Sequence, residues 1–186
     1  DDYFVGYADS HTTYFNPNRG NDTLIGGLGT GLFPYSTGTD SFVGGAGNDT
    51  YVIDDRSEYG TITELPGEGV DTLKIAFDVP WSGELVSLDG PRDQIENLTI
   101  SGTGGFNLTG NAFGNVLTGN ASANLIDGGS GNDTLIGGAG DDAYIVNSSG
   151  DIVTEAQAAG FDTVQSSVTF VLPANVERLF LSGTAA

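Results

Sequence analysis

Two parts of the chain repeat a nine-residue pattern in which a glycine-rich polar run precedes a short apolar run. The clearest copies read GGSGNDTLI and GGAGDDAYI, one directly after the other, between Gly128 and Ile145. Glycine adopts positive φ without steric cost, whereas β-branched and aromatic residues favour extended strands. The pattern therefore predicts alternating turns and strands wound into a flattened right-handed coil, with two nonapeptides per revolution and parallel strands stacked eighteen residues apart.

The middle apolar residue of each nonapeptide is predicted to point into the coil, because neighbouring side chains on a strand point to opposite faces. The expected inward residues are Leu24, Phe33, Phe42 and Tyr51 in a first array and Leu108, Leu117, Ile126, Leu135, Tyr144 and Val153 in a second. Between the arrays, Leu73, Ile75, Phe77 and Val79 alternate with other residues, which predicts further β-structure and no helix.

Burial alone does not hold such a coil together. One inward side chain per nonapeptide contributes roughly 2 kcal/mol, whereas ordering nine residues costs on the order of 9 kcal/mol in backbone entropy. Carboxylates stacked on successive turns repel each other by roughly 3 to 4 kcal/mol per close pair. A hard divalent cation reverses that repulsion, because calcium takes about six to eight carboxylate and carbonyl oxygens. The turns are therefore predicted to hold calcium ions.

The sixth residue of each nonapeptide closes the turn, and its identity determines whether that turn carries a carboxylate for a cation. This position is occupied by Asp22, Gly31, Asp40 and Asp49 in the first array and by Asn115, Asn124, Asp133, Asp142 and Asp151 in the second. The turns TGNAFGN and TGNASAN carry asparagine, which is polar but uncharged. They are predicted either to stack through amide hydrogen bonds or to bind calcium weakly.

The arrays divide the chain into five segments. These are 1–16, an N-terminal cap or degenerate rung; 17–53, the first array; 54–105, a bridging β-strand segment; 106–153, the second array; and 154–186, a second and truncated bridging segment. After the second array VTEAQAAGFDTV matches ITELPGEGVDTL, so that Glu155 answers Glu64 and Asp162 answers Asp71. A larger repeat of about ninety residues is therefore visible.

Composition narrows the expected partners. The chain has 25 acidic and 5 basic residues, a net charge of −20 and no cysteine. It repels phosphates, so no nucleic acid partner is expected, and it has no disulfides to stabilise it outside a cell. No run of eighteen apolar residues occurs, so no membrane span is expected. Because the chain starts at Asp1 without methionine or a signal peptide, the remainder of a larger parent chain is expected around it.

The nonapeptides resemble those of the RTX, or haemolysin-type calcium-binding repeat, family, and the resemblance covers nearly the whole chain from residue 17. The segments TGNA and IENLTISG are similar to those of long multi-repeat secreted RTX proteins. The resemblance implies an all-β fold, a calcium-bound parallel β-roll (a right-handed β-solenoid) with several calcium ions. It also implies a secreted, extracellular bacterial protein exported by a type I-like route.

The resemblance further implies a ligand set in which carbonyls and the closing aspartate of one turn share an ion with the turn two rungs on. The first ion is expected among Asn18, Gly20 and Asp22 with Tyr35, Thr37 and Asp40. The second is expected among Gly27 and Gly29 with Gly44, Ala46 and Asp49, where Gly31 supplies no carboxylate. The third is expected among Gly129, Gly131 and Asp133 with Val146, Ser148 and Asp151. Two asparagine-containing sets join Asn111 and Asn115 to Gly128, Ser130 and Asp133, and Asn120 and Asn124 to Gly137, Ala139 and Asp142.

A non-enzymatic calcium-binding module is the preferred interpretation, because the single histidine, His11, supports neither a zinc site nor a catalytic triad. The alternative is a calcium-dependent carbohydrate-binding or adhesin module, or an accessory domain of a secreted polysaccharide-modifying enzyme, with an extracellular glycan or cell-surface partner. The outward residues form no regular ladder for such a ligand. Trp81 is expected in the core or a cap rather than on an exposed binding platform.

Overall fold

The computed structural model describes residues 3–5, 14–15, 23–25, 41–54 and 62–182. These residues form short strands joined by turns, with no α-helix among them and one 3₁₀ helix at Gly90–Arg92. The strands are β1 (Tyr3–Val5), β2 (Tyr14–Phe15), β3 (Thr23–Ile25), β4 (Ser41–Val43), β5 (Thr50–Ile53), β6 (Ile62–Thr63), β7 (Thr72–Ile75), β8 (Ser82–Ser87), β9 (Asn97–Ile100), β10 (Gly105–Thr109), β11 (Val116–Thr118), β12 (Leu125–Asp127), β13 (Thr134–Ile136), β14 (Ala143–Val146), β15 (Ile152–Thr154), β16 (Thr163–Ser166) and β17 (Arg178–Leu181).

The strands pair in parallel and build a β-solenoid of about six turns, as predicted. One face is an eight-stranded sheet in the order β1-β3-β5-β7-β9-β11-β13-β15. The chain leaves this face after each strand and returns through the three-stranded sheet β2-β4-β6 or the six-stranded sheet β17-β16-β14-β12-β10-β8. Because the eight-stranded sheet includes strands of both arrays and of the segment between them, the two arrays lie in one continuous solenoid.

The eighteen-residue register is confirmed in the second array. Leu117 pairs with Leu135 and Leu135 with Val153, while Leu108 pairs with Ile126 on the other face. The turn between β13 and β14 depends on glycine: Gly138 and Gly140 have φ of 107° and 108°, values that residues with a Cβ rarely adopt. The nonapeptide length therefore sets the eighteen-residue rung in this array, in the glycine-rich turns and the asparagine turns alike.

The strands of the first array are spaced differently. Thr23 pairs with Thr50, and Tyr14 pairs with Ser41, which is three nonapeptides apart rather than two. As a result the strand after residue 22 lies in the eight-stranded sheet, whereas the strand after residue 40 lies in the three-stranded sheet. The eighteen-residue spacing expected here is not the spacing of the described strands.

The core is the column of inward residues between the sheets. All nine expected inward residues within the described ranges are buried, from Leu24 and Phe42 to Val153, whereas Phe33 lies outside those ranges. Leu73, Ile75, Phe77 and Val79 are also buried, which confirms the alternation predicted between the arrays. The expectation for Trp81 is wrong: its side chain is 49% exposed, because it precedes β8 on the outside of the turn and hydrogen-bonds Glu84.

Candidate metal centre

The residues directly before β5, β7, β9, β11, β13 and β15 of the eight-stranded sheet form one column along an edge of the solenoid. We call it the Asp133 column; its members are Asp49, Asp71, Glu96, Asn115, Asp133 and Asp151. The backbone N–H of Asp49 donates to Asp71 Oδ1 at 2.8 Å, and that of Asp71 donates to Glu96 Oε2 at 2.8 Å. Farther along, the N–H of Asn115 donates to Asp133 Oδ1 and that of Asp133 to Asp151 Oδ1. Side chains therefore extend the backbone ladder from turn to turn.

A second column runs along the opposite edge, before strands of the six-stranded sheet. This Asp142 column contains Asn124, Asp142, Asp162 and Glu177. The N–H of Asn124 donates to Asp142 Oδ1 at 2.7 Å, that of Asp142 to Asp162 Oδ1 at 2.8 Å, and that of Asp162 to Glu177 Oε2 at 2.7 Å. The same geometry thus recurs on both edges.

Each ladder bond satisfies only one carboxylate oxygen. Asp133 Oδ2, Asp142 Oδ2 and Asp162 Oδ2 are buried and accept no hydrogen bond from the described residues. Burial of an ionised carboxylate without a partner is costly, so such groups pair with a cation or gain a proton. Burial accordingly raises the pKa of Asp133 to about 6 and that of Asp142 to about 7. Oxygen-only ligands of this kind fit a hard cation such as calcium.

The asparagine turns are satisfied without a cation. Asn115 Oδ1 accepts the N–H of Asn111, and its Nδ2 donates to the carbonyl of Glu96 at 2.9 Å. Asn124 makes the equivalent bonds, from the N–H of Asn120 and to the carbonyl of Phe106. Of the two predictions left open for these turns, the structure supports stacking through amide hydrogen bonds.

Two groups of three carboxylates stand out from the columns. The Glu64 cluster consists of Asp49, Glu64 and Asp71, and the Glu155 cluster consists of Asp142, Glu155 and Asp162. In each cluster one oxygen from every residue lies within 4.8 Å of the other two. The two aspartates close successive turns on one edge, and the glutamate opens the later turn, directly after β6 or β15. The turn between glutamate and aspartate thus folds both carboxylates back onto the preceding rung.

Electrostatics in the clusters are unfavourable without a counter-charge. Burial, followed by repulsion from Asp71 and Asp49, raises the pKa of Glu64 to about 8. Burial raises the pKa of Asp71 to about 6 and also raises the pKa values of Glu155 and Asp162. A tyrosine accompanies each cluster: the Tyr144 hydroxyl donates to Glu155 Oε1, and the Tyr51 hydroxyl is buried.

The expected site residues of the second array lie on adjacent turns. Within turn 147–151, the N–H of Ser148 donates to Asp151 Oδ2. Two bonds reach the preceding turn: Ser148 Oγ donates to Asn132 Oδ1 at 2.8 Å, and Asn147 Nδ2 donates to the Gly129 carbonyl. Turn 128–133 is therefore next to turn 147–151, as the third expected set requires. In the asparagine sets, the carbonyls of Asn111 and Asn120 instead accept the N–H groups of Ser130 and Ala139.

The first two expected sets fall largely outside the described residues. Gly44, Ala46 and Asp49 are described, and Asp49 joins the Glu64 cluster; Asn18, Gly20, Asp22, Gly27, Gly29, Tyr35, Thr37 and Asp40 are not. These two sets remain predictions.

Sequence reasoning did not assign ligands to the turns that bridge the arrays. The match between the two bridging segments pairs Glu64 with Glu155 and Asp71 with Asp162, but it assigns no role to Glu96 or Glu177. The signal that identifies Asp71, Asp162, Glu96 and Glu177 is local, since each directly precedes an apolar-alternating strand, as the nonapeptide aspartate does.

Among the described residues, no helix is long and apolar enough to cross a bilayer. Comparison with protein families finds four copies of the RTX calcium-binding nonapeptide repeat, at residues 18–32, 36–51 and 109–144. Comparison with curated proteins gives no match. The matched residues include the turns that contribute Asp49, Asp133 and Asp142 to the two columns.

Proposed function

Since the chain carries four RTX calcium-binding nonapeptide repeats, we propose that it is a non-enzymatic calcium-binding β-roll module of a secreted bacterial protein. The module folds when it meets calcium outside the cell and thereby supports type I-like secretion. The observation that carries this proposal is the set of buried aspartate oxygens, at Asp133, Asp142 and Asp162, that accept no hydrogen bond from the described residues.

Charge explains why folding would wait for the ion. The chain has a net charge of −20, and the solenoid lines up carboxylates along both edges. In calcium-poor cytosol their repulsion and desolvation oppose the fold. Outside the cell, calcium binds only the assembled turns, so its binding free energy becomes folding free energy.

A calcium titration followed by far-UV circular dichroism tests the proposal. We expect weak β-structure in chelator and a cooperative gain of β-structure with calcium, but no comparable gain with an equal ionic strength of potassium chloride. Equal β-content in chelator and in calcium would contradict calcium-dependent folding.

Glycan binding is a second candidate, which the exposure of Trp81 favours. Trp81, directly before β8, is 49% exposed, and Leu85, within β8, is 60% exposed, so that an aromatic and an apolar side chain face solvent. Aromatic faces of this kind stack on sugar rings. A glycan array probed with the folded chain, with Trp81→Ala as the control, tests this: binding that the variant retains would exclude Trp81 as the platform.

A further inference from the structure

We propose that the Glu64 cluster and the Glu155 cluster are two calcium sites of a second type, distinct from the sites expected between nonapeptide turns. Each one joins a glycine-rich turn, GGAGND or GGAGDD, to the eight-residue turn that follows on the same edge, ELPGEGVD or EAQAAGFD. The inference rests on the proposed function in one respect, namely that calcium is the ion the module encounters.

The first supporting observation is unbalanced buried charge. Each cluster gathers three carboxylates that are at most 8% exposed, and neither contains a basic residue. Both oxygens of Glu64, together with Glu155 Oε2 and Asp162 Oδ2, accept no hydrogen bond from the described residues. A carboxylate at this depth needs a cation or a proton, and three of them converging on one space match the oxygen-rich shell of calcium.

The second observation is a tyrosine hydroxyl aimed into each cluster. Tyr51 is fully buried and its hydroxyl has no hydrogen-bond partner among the described residues. A Cβ added to Gly44 would overlap both this hydroxyl and Asp49 Oδ2, so the two oxygens converge above the glycine. At the other cluster a Cβ on Gly137 would overlap Asp142 Oδ2, the Tyr144 hydroxyl and Glu155 Oε1. A neutral oxygen therefore completes each carboxylate set.

The third observation is that two different turn sequences build the same cluster. ELPGEGVD and EAQAAGFD share only their first glutamate, their sixth-position glycine and their final aspartate. The glutamate and aspartate are cluster members. The shared glycines, Gly69 and Gly160, press against the carbonyls of Gly47 and Gly140, where any Cβ would collide. The retained residues are thus the ones that form the site and bring the turns into contact.

The charge count distinguishes these sites from the expected nonapeptide pairs. A pair of nonapeptide turns offers at most two carboxylates, whereas each cluster offers three. Calcium affinity rises with the number of charged ligands. The two clusters therefore fill before the nonapeptide sites and anchor one rung of each array.

Glu64→Gln and Glu155→Gln test the assignment in the full chain, because neither glutamate belongs to an expected nonapeptide site. Asp93→Asn is the matched control, since it removes one charge from an exposed residue outside both columns. Calcium is titrated against a chromophoric chelator of high affinity, and circular dichroism in saturating calcium verifies that each variant is folded. We expect each glutamine variant to lose one tightly bound ion and the double variant to lose two, while Asp93→Asn loses none.

Terbium provides an independent measurement, because it binds calcium sites and its emission is sensitised by a nearby tyrosine. Tyr51→Phe should reduce tyrosine-sensitised emission without changing the number of ions, since it removes only the neutral oxygen. If wild type folds with calcium but the glutamine variants keep every tight ion, the clusters are held by protons and the inference is wrong, although the proposed function stands. If calcium does not change the wild type at all, it is the proposed function that fails.

Discussion

The asparagine turns and the aspartate turns of the second array close at the same position of the nonapeptide, but the closing residue satisfies its polar groups differently in the two. In the asparagine turns, the amide of Asn115 or Asn124 accepts one N–H and donates to a carbonyl of the preceding rung. In two of the aspartate turns, Asp133 and Asp142 each accept one N–H and bury a second oxygen without a donor, whereas Asp151 accepts N–H groups at both of its oxygens. The amide NH₂ of asparagine thus makes a hydrogen bond to the preceding rung, where the second oxygen of Asp133 or Asp142 has no donor. Asn115 and Asn124 are therefore satisfied by hydrogen bonds, whereas Asp133 and Asp142 each keep a buried oxygen that a calcium ion would satisfy under the proposed function.

Replacing an aspartate with asparagine should convert one type of rung into the other. We expect Asp133→Asn to lose about 2.7 kcal/mol of stability at a calcium concentration about a hundredfold above the dissociation constant, because one ion no longer binds. In chelator the same variant should be more stable than wild type by about 1 kcal/mol, because the amide can donate where the carboxylate could not. Urea unfolding in both conditions measures the two effects. A change of the same sign in both would refute the comparison.

The reverse substitution should create a calcium requirement. Asn124→Asp removes the donor to the Phe106 carbonyl and places a carboxylate beside Asp142. Without calcium we expect a loss of about 1 to 3 kcal/mol, from the unsatisfied carbonyl and the added repulsion. Calcium should restore most of the lost stability of this variant. Asn107→Asp, on the outer surface of β10, is the control for added charge alone; an equal and calcium-independent loss in both variants would argue against the amide's role.

The pH dependence in chelator should follow the raised pKa values of the aspartate turns. Folded pKa values of about 6 for Asp71 and Asp133, 7 for Asp142 and 8 for Glu64 lie above those of the unfolded chain. The folded state therefore binds more protons, and stability falls as pH rises from about 4 through 8. Calcium must displace these protons, so its apparent affinity should rise over the same range. Thermal melts and calcium titrations at pH 5 and 8 test both signs.

The smallest effect is expected where a glutamate serves only as a hydrogen-bond acceptor. Glu177 accepts the N–H of Asp162, and the carbonyl oxygen of glutamine accepts it equally well. We expect Glu177→Gln to change stability by less than about 1 kcal/mol, with or without calcium. A larger calcium-dependent loss would show that Glu177 contacts the ion.

The fold could be predicted because each nonapeptide contains both the signal for a turn and the signal for the inward face of a strand. Its glycines specify the turn and its single apolar residue specifies the face, as Leu117, Leu135 and Val153 show by pairing at eighteen residues. The first array lacks this regularity, since its turns YSTGTD and PNRGND lack paired glycines, and its strands pair three nonapeptides apart. Periodicity alone could not reveal that change of register.

The candidate site was less accessible to sequence reasoning. Asp133 and Asp142 follow from the repeat itself. Glu64 and Glu155, in contrast, lie thirteen or more residues from the aspartates of the preceding turn, and only winding brings them together. The matched segments containing Glu64 and Glu155 hinted at a shared role, but a match between two turns does not show what lies between rungs.

The two clusters lie nine strands apart, from β5 to β14, and an odd number of strands carries the chain to the opposite edge of the coil. Ions that draw neighbouring turns together along one edge only would curve the solenoid toward that edge. With one cluster on each edge, the two tendencies to curve oppose each other. Ion loading in this chain is therefore expected to stiffen the solenoid without curving it.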